Sequence, residues 1–200
     1  MMNVRARDDD GITLIEVIVY LVISGMFLAL LAGLFVAGLR AQTTATDLDS
    51  ATGASGVVSS SLQSGIRNAA AFALSDDNQT VVATVIADDG PSCRGWRVTA
   101  DGDLLYQRSS SAIPLTGGSG WTAIAHGVVG SLSRVDGTDA DGAPKIVPID
   151  ADGDGRTDAF ARTGTLLQVG MDIKVGDGTV AWTTGITARA VGEGVTTTCW

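Results

Sequence analysis

Residues 11–40 read GITLIEVIVYLVISGMFLALLAGLFVAGLR, and their reading decides the fold. The 28 residues from Ile12 to Leu39 carry a single charge, Glu16, with Thr13 and Ser24 as small polar interruptions. A helix of that length is about 42 Å long, more than the ~30 Å hydrocarbon core of a bilayer. The stretch therefore predicts a membrane-spanning helix. Glu16 is the anomaly, because an unpaired carboxylate in hydrocarbon costs several kcal/mol and ionisable residues in such segments usually serve a function. The ten residues before Gly11 are polar and contain no apolar stretch, unlike a secretory signal, whose cleavage site follows its apolar core. Here the candidate junction precedes the apolar core. A plain single-pass anchor, with Glu16 snorkelling to the interface, is the competing explanation.

Gly11-Ile12-Thr13-Leu14-Ile15-Glu16, followed at once by the apolar run, resembles the cleavage and methylation motif of type IV prepilins, shared by type IV pilins and pseudopilins. The resemblance covers Gly11 to about Arg40. It implies that a prepilin peptidase cuts after Gly11 and methylates the new N-terminus at Ile12, leaving 189 residues. It also implies a counter-charge for Glu16: the free amino group of Ile12 on an adjacent subunit. An ion pair in low dielectric is tolerable where either charge alone is not. The chain departs from the family's habit in placing Asp8, Asp9 and Asp10 where basic residues are common, and Ile12 where phenylalanine is commoner. Arg5 and Arg7 before the span against Arg40 after it favour a cytoplasmic N-terminus.

The 161 residues from Arg40 to Trp200 suffice for one exported head domain. A formal charge of −9 argues against binding to phosphate backbones, so no direct nucleic-acid partner is expected. Cys93 and Cys199 are the only cysteines, in a region expected outside the cytoplasm where disulfides persist. Either they pair, as the C-terminal disulfides of pilins suggest, or they are two buried thiols. A bond would close a loop of 107 residues, for which the chain-entropy model gives about 4.7 kcal/mol.

From Ala41 to about Leu74 a weaker helical pattern continues, with Leu48, Ala51, Ser55, Val58, Leu62, Ile66, Ala69 and Ala73 on one face. Gly53, Gly56 and Gly65 each cost about 1 kcal/mol relative to Ala and invite a bend. Ser75-Asp76-Asp77-Asn78 ends the pattern. Strands are expected at Val81–Ala87, then at Trp96–Thr99 and Leu104–Arg108 around the turn residues Asp101-Gly102. Further strands are expected at Trp121–Ala125, Val128–Val135, Leu166–Val175 and Val180–Ala190, the last pair around Gly176-Asp177-Gly178. Ser109–Gly120 and Asp136–Asp158 read as loops. The expected organisation is a leader over 1–11, a membrane or filament-core helix over 12–39, its amphipathic continuation over 40–74, and a β-rich head over 75–200. The fold class is α+β, pilin-like, with the half-helix on one face of an antiparallel sheet of about four to seven strands.

Asp150-Ala151-Asp152-Gly153-Asp154-Gly155-Arg156-Thr157-Asp158 fits D-x-D-x-D-G-x-x-D, the pattern of a calcium loop. Carboxylates of Asp150, Asp152, Asp154 and Asp158 can converge where Gly155 permits a sharp turn, and the Arg156 carbonyl adds a hard oxygen. Ala161 stands where an EF-hand places its bidentate Glu, so the loop resembles the shorter calcium loops of dockerin-like and thrombospondin-type repeats. The alternative is a solvated acidic turn, to which Asp136, Asp139 and Asp141 could also belong.

Enzymatic readings find little support. His126 is the only histidine and lacks a nucleophile or metal signature; Ser109, Ser110 and Ser111 lack a G-x-S-x-G frame; and no Walker A or dinucleotide fingerprint occurs. Trp96, Trp121, Trp182 and Trp200 read as core or hairpin residues. The sequence thus points to a non-enzymatic structural subunit, a minor pilin, with other pilin subunits, a prepilin peptidase and an inner-membrane assembly platform as partners. It would wait in the inner membrane, N-terminus inside, and then join an extracellular filament. The alternatives are a pseudopilin of type II secretion or DNA uptake, a filament-borne adhesin, and a membrane-anchored hydrolase.

Overall fold

The computed structural model describes residues 13–87, 90–189 and 199–200. Its first element is helix α1, Leu14–Arg67. The chain divides into two compact units, with the boundary after Thr43.

In the first unit, helix residues 14–43 are exposed throughout, including Leu21, Phe27, Leu34 and Phe35. An unpacked helix of that composition is a candidate membrane span near the N-terminus, compatible with single-pass anchoring.

In the second unit, residues 44–67 of α1 pack on antiparallel sheets, giving the expected α+β class. Ala51, Ser55, Val58, Leu62 and Ile66 form the buried stripe, spaced three and four apart. The helix ends seven residues before the expected Leu74. Asn68 Nδ2 donates to the Ser64 carbonyl at 2.9 Å, and the Arg189 N–H reaches the Arg67 carbonyl at 3.2 Å, satisfying the final turn. Ala69–Leu74 then forms strand β1, antiparallel to β2, Thr80–Ala87. Its run of alanines favours a helix locally, but pairing with β2 places Ala69, Ala70 and Phe72 in the interior.

β3 (Gly90–Val98), β4 (Asp103–Ser109) and β5 (Thr122–His126) complete a five-stranded sheet in the order β1-β2-β3-β4-β5. The expected Asp101-Gly102 hairpin joins β3 to β4, with Gly102 at φ +84°. The expected strand Val128–Val135 is instead two elements, β6 (Val128–Gly130) and β7 (Ser133–Thr138). The Ser131 N–H donates to the Gly170 carbonyl and the Leu132 N–H to the Asp158 carbonyl, which turns the chain out of one sheet. Part of the expected Asp136–Asp158 loop is strand: β8 (Pro144–Pro148) pairs with β7 in an exposed two-stranded ribbon. A second sheet holds β9 (Phe160–Thr163), β10 (Leu166–Val175) and β11 (Gly178–Thr187), with β6 and β9 along one edge of β10. The β10–β11 register, from Leu166↔Thr187 to Val175↔Gly178, is the expected hairpin. The single sheet expected from the strand pattern is thus three sheets.

One buried cluster unites the layers. Val58, Leu62 and Ile66 of α1 meet Val81, Trp96 and Leu104 of the first sheet and Leu167, Val169, Met171 and Ile173 of the second. Gly65 is the point of closest approach: a Cβ there would lie 2.1 Å from the Trp96 ring. The indole Nε1 donates to Ser61 Oγ at 2.9 Å, so the ring is seated and its polar atom satisfied. Trp96 also pairs across the hairpin with Tyr106, centroids 5.6 Å apart. A smaller cluster of Val82, Cys93, Ile113 and Cys199, flanked by Leu115 and Trp121, covers the opposite face of the first sheet. Cys93 and Cys199 form a disulfide there, and the Ile113 N–H donates to the Cys199 carbonyl at 2.7 Å.

Candidate functional site

Two places hold the residues singled out from sequence. The first is the start of α1. Gly11 and Ile12, the expected cleavage and methylation residues, lie outside the described residues. Glu16 occupies the first helical turn and is exposed, where its negative charge complements the positive end of the helix dipole. Among the described residues its carboxylate meets one side-chain partner, the Tyr20 hydroxyl, which donates to Oε1 at 3.4 Å. That i,i+4 relation follows from the sequence spacing, where Tyr20 otherwise passes as one more apolar residue of the span. The pair leaves the carboxylate without a cation among the described residues.

The second place is the acidic loop between β8 and β9. Asp150 acts as a local cap: Oδ1 accepts from the Gly153 N–H at 2.8 Å and Oδ2 from the Gly155 N–H at 3.0 Å. Gly153 and Gly155 sit at φ +76° and +84°, conformations that L side chains rarely adopt, so both glycines are needed for the coil of the loop. Asp152 Oδ1 accepts from the Asp154 N–H at 3.3 Å. Oxygens of Asp150, Asp152 and Asp158 come within 4.8 Å of one another. Asp154, expected as a fourth ligand, stands outside this group and accepts from the Arg156 N–H at 2.7 Å. Arg156, expected to contribute its carbonyl, extends its guanidinium towards the Val98 carbonyl at 3.5 Å. Asp136, Asp139 and Asp141 also stand outside the group; Asp139 Oδ1 caps the β7–β8 turn through the Asp141 and Ala143 N–H groups.

Asp158 differs from the other aspartates of the loop in being fully buried. Its carbonyl accepts from Leu132 and its N–H donates to Ile149, so the backbone is pinned on both sides. Its Oδ2 accepts from Asn78 Nδ2 at 3.1 Å, whereas Oδ1 has no hydrogen-bond partner. Burial pushes the Asp158 carboxyl above the usual carboxylate range, and the nearby charges of Asp152 and Asp150 add to the shift. The Asn78 amide and the Ala151 N–H oppose it, although neither gives Oδ1 a bond of normal geometry.

Asn78, at the β1–β2 turn with φ 51°, was legible only as a turn residue. Its contact with Asp158 spans 80 residues, a distance no local pattern encodes. Gln79 reinforces the same junction, its Nε2 donating to the Thr157 carbonyl at 3.1 Å.

His126 is exposed at the end of β5, with Nδ1 2.7 Å from Asp103 Oδ1. Comparison with known proteins found no match among family models, curated proteins or solved structures.

Proposed function

We propose that this chain is a structural subunit of a type IV pilus-like filament, a minor pilin processed after Gly11 and assembled through its N-terminal helix. What supports the reading is Glu16: a carboxylate held in the first turn of a helix whose first half is otherwise apolar, with a hydroxyl but, among the described residues, no cation beside it. Such a group is stable in a membrane or filament core only with a counter-charge. The amino group of Ile12, freed by cleavage on a neighbouring subunit, has the right sign and stands four residues before Glu16 in the sequence. Docking would then set the axial register of each incoming subunit. The apolar helix face would form the filament core, with the disulfide-closed head outside. A prepilin peptidase and an inner-membrane assembly platform are the implied partners, and no catalytic role or nucleic-acid contact is assigned to the head. A pseudopilin of a secretion or DNA-uptake machine would use the same features and differ only in the machine joined.

The test is the intact mass of the chain after co-expression with a prepilin peptidase. Loss of residues 1–11 with addition of one methyl group at Ile12 is expected. A product still beginning at Met1 or Met2 would refute the reading. Glu16→Leu, which leaves processing possible but removes the charge, should abolish incorporation into filaments.

A further inference from the structure

We infer that Asp150, Asp152 and Asp158 bind a calcium ion that fastens the acidic loop to the β1–β2 turn. The site stands on the head's own residues and holds whether or not the chain is a filament subunit.

The spacing of the oxygens fits the ion. Calcium binds oxygen at about 2.3–2.6 Å, so two oxygens on opposite sides of one ion lie at most about 5 Å apart. All three carboxylates meet that limit, with oxygens within 4.8 Å of one another. The donors are carboxylates alone, with no histidine or cysteine in the group, which suits a hard cation. Asp150 and Asp152 are exposed, leaving room for the water molecules that complete a coordination shell of six to eight. The loop is already coiled by its own backbone hydrogen bonds to Asp150 and Asp152, so little ordering remains for binding to impose.

An acidic cluster by itself would be an ordinary solvated turn. What separates this one is Asp158, whose side chain is buried, whose Oδ1 lacks any hydrogen-bond partner, and whose carboxylate belongs to the converging group. A buried polar atom left unpaired is costly. Two further carboxylates close by worsen it by repulsion. A divalent cation answers both problems at once, because it gives the buried, under-satisfied carboxylate a charged partner and neutralises the repulsion.

The position gives the ion a structural consequence. Asn78 and Gln79 in the β1–β2 turn hold Asp158 and Thr157, and the Phe160 N–H donates to the Asn78 carbonyl at 3.1 Å. Calcium would therefore tie the loop to a turn of the first sheet at the point where the chain enters β9 of the second.

The experiment uses the full chain in detergent micelles, stripped with EGTA and titrated with calcium chloride by calorimetry and thermal melting. One ion per chain is expected, with Kd on the order of 10⁻⁴–10⁻³ M, the range of extracellular modules. At ten times Kd the Tm should rise by about 3–6 °C. Asp152→Asn, an exposed change that leaves the core intact, should weaken calcium binding at least tenfold. Asp158→Asn should do the same, yet in EGTA melt no lower than the unaltered chain, because it removes a buried unpaired charge. Asp154→Asn should keep the calcium response. Equal melting of the unaltered chain in calcium and EGTA would overturn the site, as would an Asp152→Asn variant with an unchanged response. An equal shift with magnesium chloride would overturn the choice of calcium, and loss of the response in Asp154→Asn would overturn the ligand set.

Discussion

Replacing Gly65 by alanine pits helix propensity against packing. Within a helix, alanine is favoured over glycine by about 1 kcal/mol, so local preference alone predicts stabilisation. The structure predicts the opposite sign. A Cβ on residue 65 would lie 2.1 and 2.6 Å from two atoms of the Trp96 ring, distances that real side chains do not tolerate. Trp96 is fully buried, so the ring cannot swing into solvent. Accommodating the methyl group by core movement costs about 1–3 kcal/mol. Displacing the ring also endangers the Nε1–Ser61 bond, and an orphaned buried indole N–H costs about 1–3 kcal/mol more. Against the 1 kcal/mol gained, the net is a loss of about 1–5 kcal/mol, with Tm lowered by about 2–20 °C for a chain of this size. Gly53→Ala and Gly56→Ala are the controls, since a Cβ at either position meets nothing within 4 Å. They should hold or raise Tm, gaining up to about 1 kcal/mol each. The assay is melting of the full chain in detergent, followed by the near-ultraviolet dichroism of the packed tryptophans. If Gly65→Ala melts at or above the unaltered chain, the close seat of Trp96 on α1 is wrong.

Reducing the disulfide, or replacing Cys93 and Cys199 together by serine, should cost about 2–5 kcal/mol, read as a lower denaturant midpoint of the head; an unchanged midpoint would refute the bond's role. Leu62→Ala empties the centre of the cluster shared by both sheets and should destabilise by about 2–5 kcal/mol in the same measurement. Arg162 donates to the Phe72 carbonyl at 2.9 Å and stacks 4.8 Å over the Phe72 ring, so Arg162→Lys should lower Tm more than Arg134→Lys, an exposed change on the β7–β8 ribbon; equal effects would argue that the contact contributes nothing.

Much of this protein was legible in its primary structure because the signals are short-ranged. A long apolar run with one acid needs no tertiary partner to be read as a helix. The alternation of Leu167, Val169, Met171 and Ile173 before Gly176-Asp177-Gly178 likewise specified β10, its turn and its inward face. The acidic loop declared its glycines and carboxylates by spacing. Tertiary structure decided the rest. Helix α1 yields at Arg67 because β1 gains a partner strand and an interior face, contributions that outweigh the helical preference of alanine. Gly65, locally a weak point in a helix, leaves the space that the Trp96 ring fills. Asp158 became distinct from the other aspartates of its loop only when Asn78, Leu132 and Ile149 closed over it. Local composition encodes dihedral preference and periodicity; which carboxylate loses its water depends on residues some eighty positions away, and only the folded chain brings those together.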